Sequence, residues 1–122
     1  PYVDCIGHSE QENYRYDYDL VTKAFAANHK VVELNGNSFN VRKDGIPNMK
    51  ALLAACLQNG CHIAVDSDAH STWQLRLTAL YGMLEEMNFP EELIINATTA
   101  NLTAELKLHG KACAKEVGGI LV

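Results

Sequence analysis

Four short apolar runs, residues 3–6, 30–35, 61–65 and 93–96, read as strands, the last of them brief. Between them, apolar residues recur at helical spacing. From about Asp17, the positions Leu20, Val21, Ala24, Phe25 and Asn28 form a mostly apolar stripe. Asp17 or Asp19 suits the positive end of that helix. Met49, Leu52, Leu53, Cys56 and Leu57 mark a second helix, with Pro47 in its first turn and Asn59-Gly60 at its close. Trp73, Leu77, Leu80, Tyr81, Leu84 and Met87 line one face of a third, capped by Ser71 or Thr72 and ended by Pro90. Thr98 or Thr99 caps a fourth helix that carries Leu102 and Leu106 and closes at Gly110. Residues 9–16 and 40–45 read as loops.

Strand and helix therefore alternate four times, which predicts an α/β fold with parallel strands and right-handed crossovers. The chain has 122 residues, enough for one domain. A closed eight-fold barrel takes roughly 250, so the expectation is three or four parallel strands with helices on the outer face, forming part of a barrel. Residues 1–110 form the domain, and 111–122 a weakly patterned tail. The chain opens on Pro1 and enters a strand pattern almost at once; the expectation is a fragment of a longer protein.

Charge narrows the classes of partner. Ten basic and fifteen acidic residues give a formal net charge of −5, which disfavours nucleic acid and anionic membrane. The apolar runs fall far short of the roughly 20 residues of a transmembrane helix, and no secretion-signal pattern opens the chain. Cys5, Cys56, Cys61 and Cys113 form no C-x-x-C pair, so neither a zinc ribbon nor a disulfide scaffold is expected. Four reduced thiols and a cytoplasmic location follow as expectations. Two N-x-T sequences, at Asn96 and Asn101, read as chance.

In parallel α/β folds ligands bind beyond the carboxyl ends of the strands. Here those ends carry Gly7-His8, then Glu33 to Asn37, then Asp66-Ser67-Asp68-Ala69-His70. Asp68 and His70, two apart, can turn a carboxylate and an imidazole toward one cation, a mix that suits zinc, manganese or iron. His8 adds an imidazole from another strand end. Arg42 and Lys43 suit a phosphate or stand as a solvated basic pair, while Asn35, Asn37 and Ser38 are candidates for bonding a substrate or for tying the loop. Glu33 reads as supporting these groups or as structural. Tyr14, Tyr16 and Tyr18 fit a pocket rim or loop packing equally well. His29, His62 and His109 fall at the opposite pole or a helix end and read as structural. No G-x-S-x-G, P-loop or G-x-G-x-x-G pattern is present.

Ile6-Gly7-His8, Tyr16-Asp17-Tyr18, Val32-Glu33-Leu34-Asn35, Asn37-Ser38-Phe39, Arg42-Lys43 and Ser67-Asp68-Ala69-His70 occur in one order. In this the chain resembles the C-terminal half of the PHP family (polymerase and histidinol phosphatase), most closely its YcdX-like phosphatase branch. Phe89-Pro90-Glu91-Glu92 through Asn96 also fits, so the resemblance covers residues 2–108. It implies a distorted (β/α)7 barrel of the TIM type, with a cluster of divalent metals, zinc or manganese. It also implies hydrolysis of a small phosphorylated substrate by metal-activated water. By position His8, Asp68 and His70 match metal ligands, and Arg42 a loop residue of that branch. The family's His-x-His motif, further histidines and bridging Glu would lie upstream of Pro1, so this chain holds about a third of the ligands. It departs from the branch at Ser9-Glu10 and in a shorter loop before Arg42. Two other classes remain: a metal-dependent barrel hydrolase of the amidohydrolase kind, and a non-catalytic module of the same fold. An isolated chain of this kind is expected to self-associate through its open edges.

Overall fold

The computed structural model describes residues 3–111. Three strands, β1 (Cys5–Ile6), β2 (Val31–Asn35) and β3 (His62–Asp66), form one parallel sheet in the order β1-β2-β3. Val31 pairs with Cys5 on one side and His62 on the other; Asn35 lies opposite Asp66. The helices are α1 (Tyr18–Ala27), α2 (Ser38–Val41), α3 (Ile46–Asn59), α4 (Thr78–Glu86) and α5 (Thr99–Leu108). The protein is thus α/β with parallel strands alternating with helices.

The two faces of the sheet differ because side chains alternate along each strand. Val32, Leu34, Ile63 and Val65 point into the core. There they meet Met49, Leu52, Leu53 and Cys56 of α3, and Leu80, Met83 and Leu84 of α4. Glu33 and Asn35 of β2, with His62 and Asp66 of β3, stand on the other face. α3 and α4 therefore cover the apolar face, and these polar residues fall on the other, where His62 meets Glu105 of α5.

Local chemistry fixes the helix ends. The Asp17 carboxylate accepts from the Leu20 N–H at 2.9 Å and caps α1. Pro47 stands in the first turn of α3, and Gly60 closes it with φ at 64°. Asn59 Nδ2 reaches the Thr22 hydroxyl at 2.8 Å and clamps α3 to α1. Leu20, assigned to the apolar stripe, is exposed, since the contact with α3 lies on the Thr22 side of the helix.

Four expectations are corrected. The first strand covers only Cys5–Ile6. Residues 93–96 form no strand: Glu91–Leu93 is a 3-10 turn, and Ile94 makes one isolated parallel bridge to Ile63. The Asn96 side chain takes over the pairing, accepting from the Val65 N–H at 3.0 Å and donating to the Val65 carbonyl at 2.6 Å. The helix expected from Ser71 begins at Thr78 instead. Thr72–Gln74 is a separate 3-10 turn that leaves Trp73 exposed, since the Gln74 side chain bonds back to the His70 N–H rather than extending a helix. The loop at 40–45 contains the end of α2 and a 3-10 turn at Lys43–Gly45. Cys5, Cys56 and Cys61 are free thiols. Cys113 and most of the expected tail lie outside the described residues.

Candidate active site

The parallel strands bring their carboxyl ends to one pole, where His8 follows β1, α2 follows β2, and Asp68 and His70 follow β3. His8 and Asp68 both adopt left-handed backbone, with φ at 55° and 46°. That conformation costs a non-glycine residue about 1–2 kcal/mol. The His8 N–H donates to Glu33 Oε2 at 2.8 Å, and the Asp68 N–H donates to Asp66 Oδ1 at 3.0 Å. Each turn is therefore held by an acidic residue of the sheet. Gly7 gives Glu33 its room: a Cβ there would come within 2.7 Å of Glu33 Oε2.

Arg42 links the loops. Its Nη2 lies 3.5 Å from Asp68 Oδ2, and its Nε lies 3.4 Å from Glu10 Oε1 and 3.2 Å from Ser38 Oγ. Ser38 Oγ in turn donates to Glu10 Oε1 at 2.5 Å. Glu10 is almost fully buried, so this carboxylate fixes the guanidinium from below. Asn35 and Ser38, expected at the substrate, are fully buried. Asn35 Oδ1 accepts the Asn37 N–H at 3.0 Å, and its buried amide lies beside the Asp68 carboxyl. Lys43 is exposed and takes no part in this network.

The electrostatics follow from these neighbours. The Asn35 amide, then Arg42, hold the Asp68 carboxyl below the ordinary carboxylate range, helped by the nearby His70 and His8 rings. Burial, then the Glu33 carboxylate beside it, push the Asp66 carboxyl up to about 6. The His70 Nδ1 lies 2.9 Å from the Asp68 carbonyl, so Nδ1 is the donor and Nε2 is the ring nitrogen left for a ligand. His8 Nδ1 is buried with no hydrogen-bond partner.

These donors fit a divalent cation in kind: two imidazoles, carboxylates and an orphaned buried nitrogen. They do not yet fit it in number. Among the described residues no three His, Cys, Asp or Glu side chains gather closely enough to hold a metal ion.

Reading the sequence alone passed over Glu10 and Asp66. Glu10 stands in a polar stretch, where nothing marks burial. Asp66 sat within the polar cluster after β3, but only the register that sets it beside β2 reveals its pairing with Glu33. Tyr14 and Tyr16 line a cavity of about 540 Å³ at the end of β1, and Tyr16 packs edge-on against Tyr18 at 4.9 Å. At the opposite pole His62 and His109 hold the buried Glu105 between them, at 2.9 and 3.0 Å.

Fold and site together define an α/β protein with acidic, imidazole and guanidinium groups at the carboxyl ends of parallel strands. The comparisons with known proteins point the same way. The chain is 37% identical over 112 residues to a probable phosphatase of Caldicellulosiruptor saccharolyticus, covering 91% of this chain and 47% of that protein. It is 33% identical over 108 residues to a probable phosphatase of Acetivibrio thermocellus, covering 88% and 45%. A probable phosphatase of Caldanaerobacter subterraneus is 31% identical over 121 residues, covering 98% and 46%. These similarities support a phosphatase family. The chain spans about half the length of the curated relatives it matches. No family model matches it. Among the described residues no helix is long and apolar enough to cross a membrane.

Proposed function

We propose that this chain is the C-terminal part of a PHP-like barrel and carries part of the active site of a cytoplasmic, metal-dependent phosphoesterase acting on a small phosphorylated substrate. The observation that carries the reading is Asp68: one carboxylate in a strained turn, paired with Arg42 and flanked by two imidazoles, in a chain similar to probable phosphatases. Under this reading His8, Asp68 and His70 each supply part of the ligand set of a cluster of zinc, manganese or iron, which these three do not close by themselves. Such a metal, when bound, polarises a phosphoryl oxygen and acidifies water.

The chain's own residues do the rest. His70 Nε2 faces outward because Nδ1 is tied to the Asp68 carbonyl, the arrangement that orients a ligating imidazole. Arg42 offers its fork to phosphate oxygens while Glu10 and Ser38 keep its Nε end in place. Lys43, exposed beside it, adds positive charge at the mouth. Asn35 and Ser38, being buried, position Asp68 and Arg42 rather than touch substrate.

The test is turnover of 4-nitrophenyl phosphate by the full-length protein carrying this chain, with added zinc or manganese. Asp68→Ala is expected to lower kcat/KM at least 100-fold. Arg42→Ala should raise KM more than it lowers kcat. Unchanged turnover in Asp68→Ala overturns the ligand assignment.

A further inference from the structure

A second feature lies against the same strand ends. A cavity of about 490 Å³ opens between α2 and the start of α4, with Gly36, Phe39, Val41, Trp73, Arg76 and Leu80 in its walls. It lies at the same pole as the candidate site: Gly36 follows Asn35, and Val41 precedes Arg42. Gln74 connects the two, since it lines the cavity and its Oε1 accepts the His70 N–H at 2.7 Å.

Trp73 is 77% exposed. A tryptophan so uncovered is unusual, because the indole is among the largest apolar surfaces a side chain can bury. Its backbone is nonetheless ordered: the Gln74 N–H donates to the Ser71 carbonyl at 3.0 Å, and Ser71 Oγ lies 3.2 Å from Gln74 Oε1. The indole is presented on a fixed turn, so stacking against it costs little ordering entropy. Phe39 and Leu80 supply an apolar floor. Arg76 brings a guanidinium, which favours a π face or an anionic edge. Among the described residues no carboxylate lines the cavity; its acceptors are the neutral side-chain oxygens of Asn37, Asn40, Gln74 and Thr78, and the Asn37 and Asn40 amides bond each other at 3.3 Å. A hydroxyl-rich ligand finds no charged acceptor there.

We infer that this cavity binds the organic part of the phosphoester and that this part is a planar aromatic group stacked on Trp73 beside Arg76. The inference rests on the phosphoesterase reading for the phosphate end alone; the aromatic site stands on the cavity itself.

Trp73 is the single tryptophan of the chain, so its emission reports the cavity directly. The 122-residue chain is titrated with phenyl phosphate, phenol, glycerol 2-phosphate, glucose 6-phosphate and inorganic phosphate. Phenyl phosphate, and phenol more weakly, should change the emission saturably; the other three should not. Ala79→Leu, which fills the cavity, should weaken the phenyl phosphate response at least tenfold, and Arg76→Gln severalfold, with the circular dichroism spectrum retained. Silence toward phenyl phosphate, or an equal response to glucose 6-phosphate, overturns the inference. Hydrolysis of phenyl phosphate by the full-length protein is measured separately. Turnover with a silent Trp73 overturns the aromatic site alone. A responsive Trp73 without turnover leaves that site standing and overturns the phosphoesterase reading.

Discussion

His8 and Asp68 spend backbone energy to stand where they do. Of the four non-glycine residues with positive φ among the described residues, His29 follows α1 and Asn88 lies just past α4, positions where left-handed backbone commonly ends a helix. His8 and Asp68 instead follow strands, and both turns are held by carboxylates of β2 and β3. His8 also leaves a buried ring nitrogen without a partner. Such strain persists only where the surroundings enforce it. His8→Gly relieves the strained φ and removes the orphaned nitrogen while keeping the N–H bond to Glu33; the cost is greater freedom of the unfolded chain. Urea unfolding of this variant should show no loss of stability and a gain of up to about 1 kcal/mol, whereas zinc affinity should fall. A loss above about 1 kcal/mol would show that the ring is a packing residue. The residue types at the strand ends made His8, Asp68, His70 and Arg42 legible in the sequence. Glu10 was not legible, because its burial depends on a loop folding back under α2, which no local pattern encodes.

At the scale of elements, apolar periodicity located β2, α3 and the parallel order well, because long runs with clear caps leave little choice. It failed where side chains replace backbone. The run at 93–96 is apolar enough for a strand, yet the chain turns at Pro90 into a 3-10 turn, and only Ile94 pairs with Ile63. Ile95 N–H still donates to the Ile63 carbonyl at 2.9 Å, and the Asn96 amide then serves both groups of Val65. One side chain thus completes the edge of β3 at the point where Asp66 leads into the site. Asn96→Ala would strip the Val65 N–H and carbonyl of these partners. Unpaired groups of this kind cost about 1–3 kcal/mol, so the thermal midpoint should drop by several degrees and amide exchange at Val65 should quicken. An unchanged midpoint would mean that water serves Val65 equally well. The same reasoning explains the missed start of α4: Gln74 bonds to the His70 backbone, and the turn that results sets Trp73 apart from the core.

At the scale of the molecule the two poles of the sheet do different work. At the pole opposite the site, Lys111 and Lys30 hold Asp4 at 2.5 and 3.3 Å, and His109 lies 3.3 Å from the same carboxylate. Lys111 first, then Lys30, lower the Asp4 carboxyl to about 2. A group depressed in the folded state adds stability above its unfolded pKa, and that contribution disappears as pH falls toward the folded value. Between about pH 4 and pH 2 the chain should therefore lose stability, and Asp4→Asn should shallow that loss without abolishing it, since Asp68 is also depressed. A denaturation series across that range in both proteins reads it directly; identical slopes would show that the clasp is inert. The site pole is the less complete of the two. Among the described residues it gathers no three-donor group. On the proposed reading, imidazole and carboxylate ligands without their full set bind metal weakly. The 122-residue chain alone is thus expected to bind zinc or manganese weakly and to hydrolyse 4-nitrophenyl phosphate at the background rate. Exposed Leu75 and Val3, together with the free edge of β1, should also drive self-association, seen as a rise in sedimentation coefficient with concentration. Robust metal-dependent turnover by this chain would mean that its own donors close around the ion, and would overturn the proposal that this chain carries only part of the site.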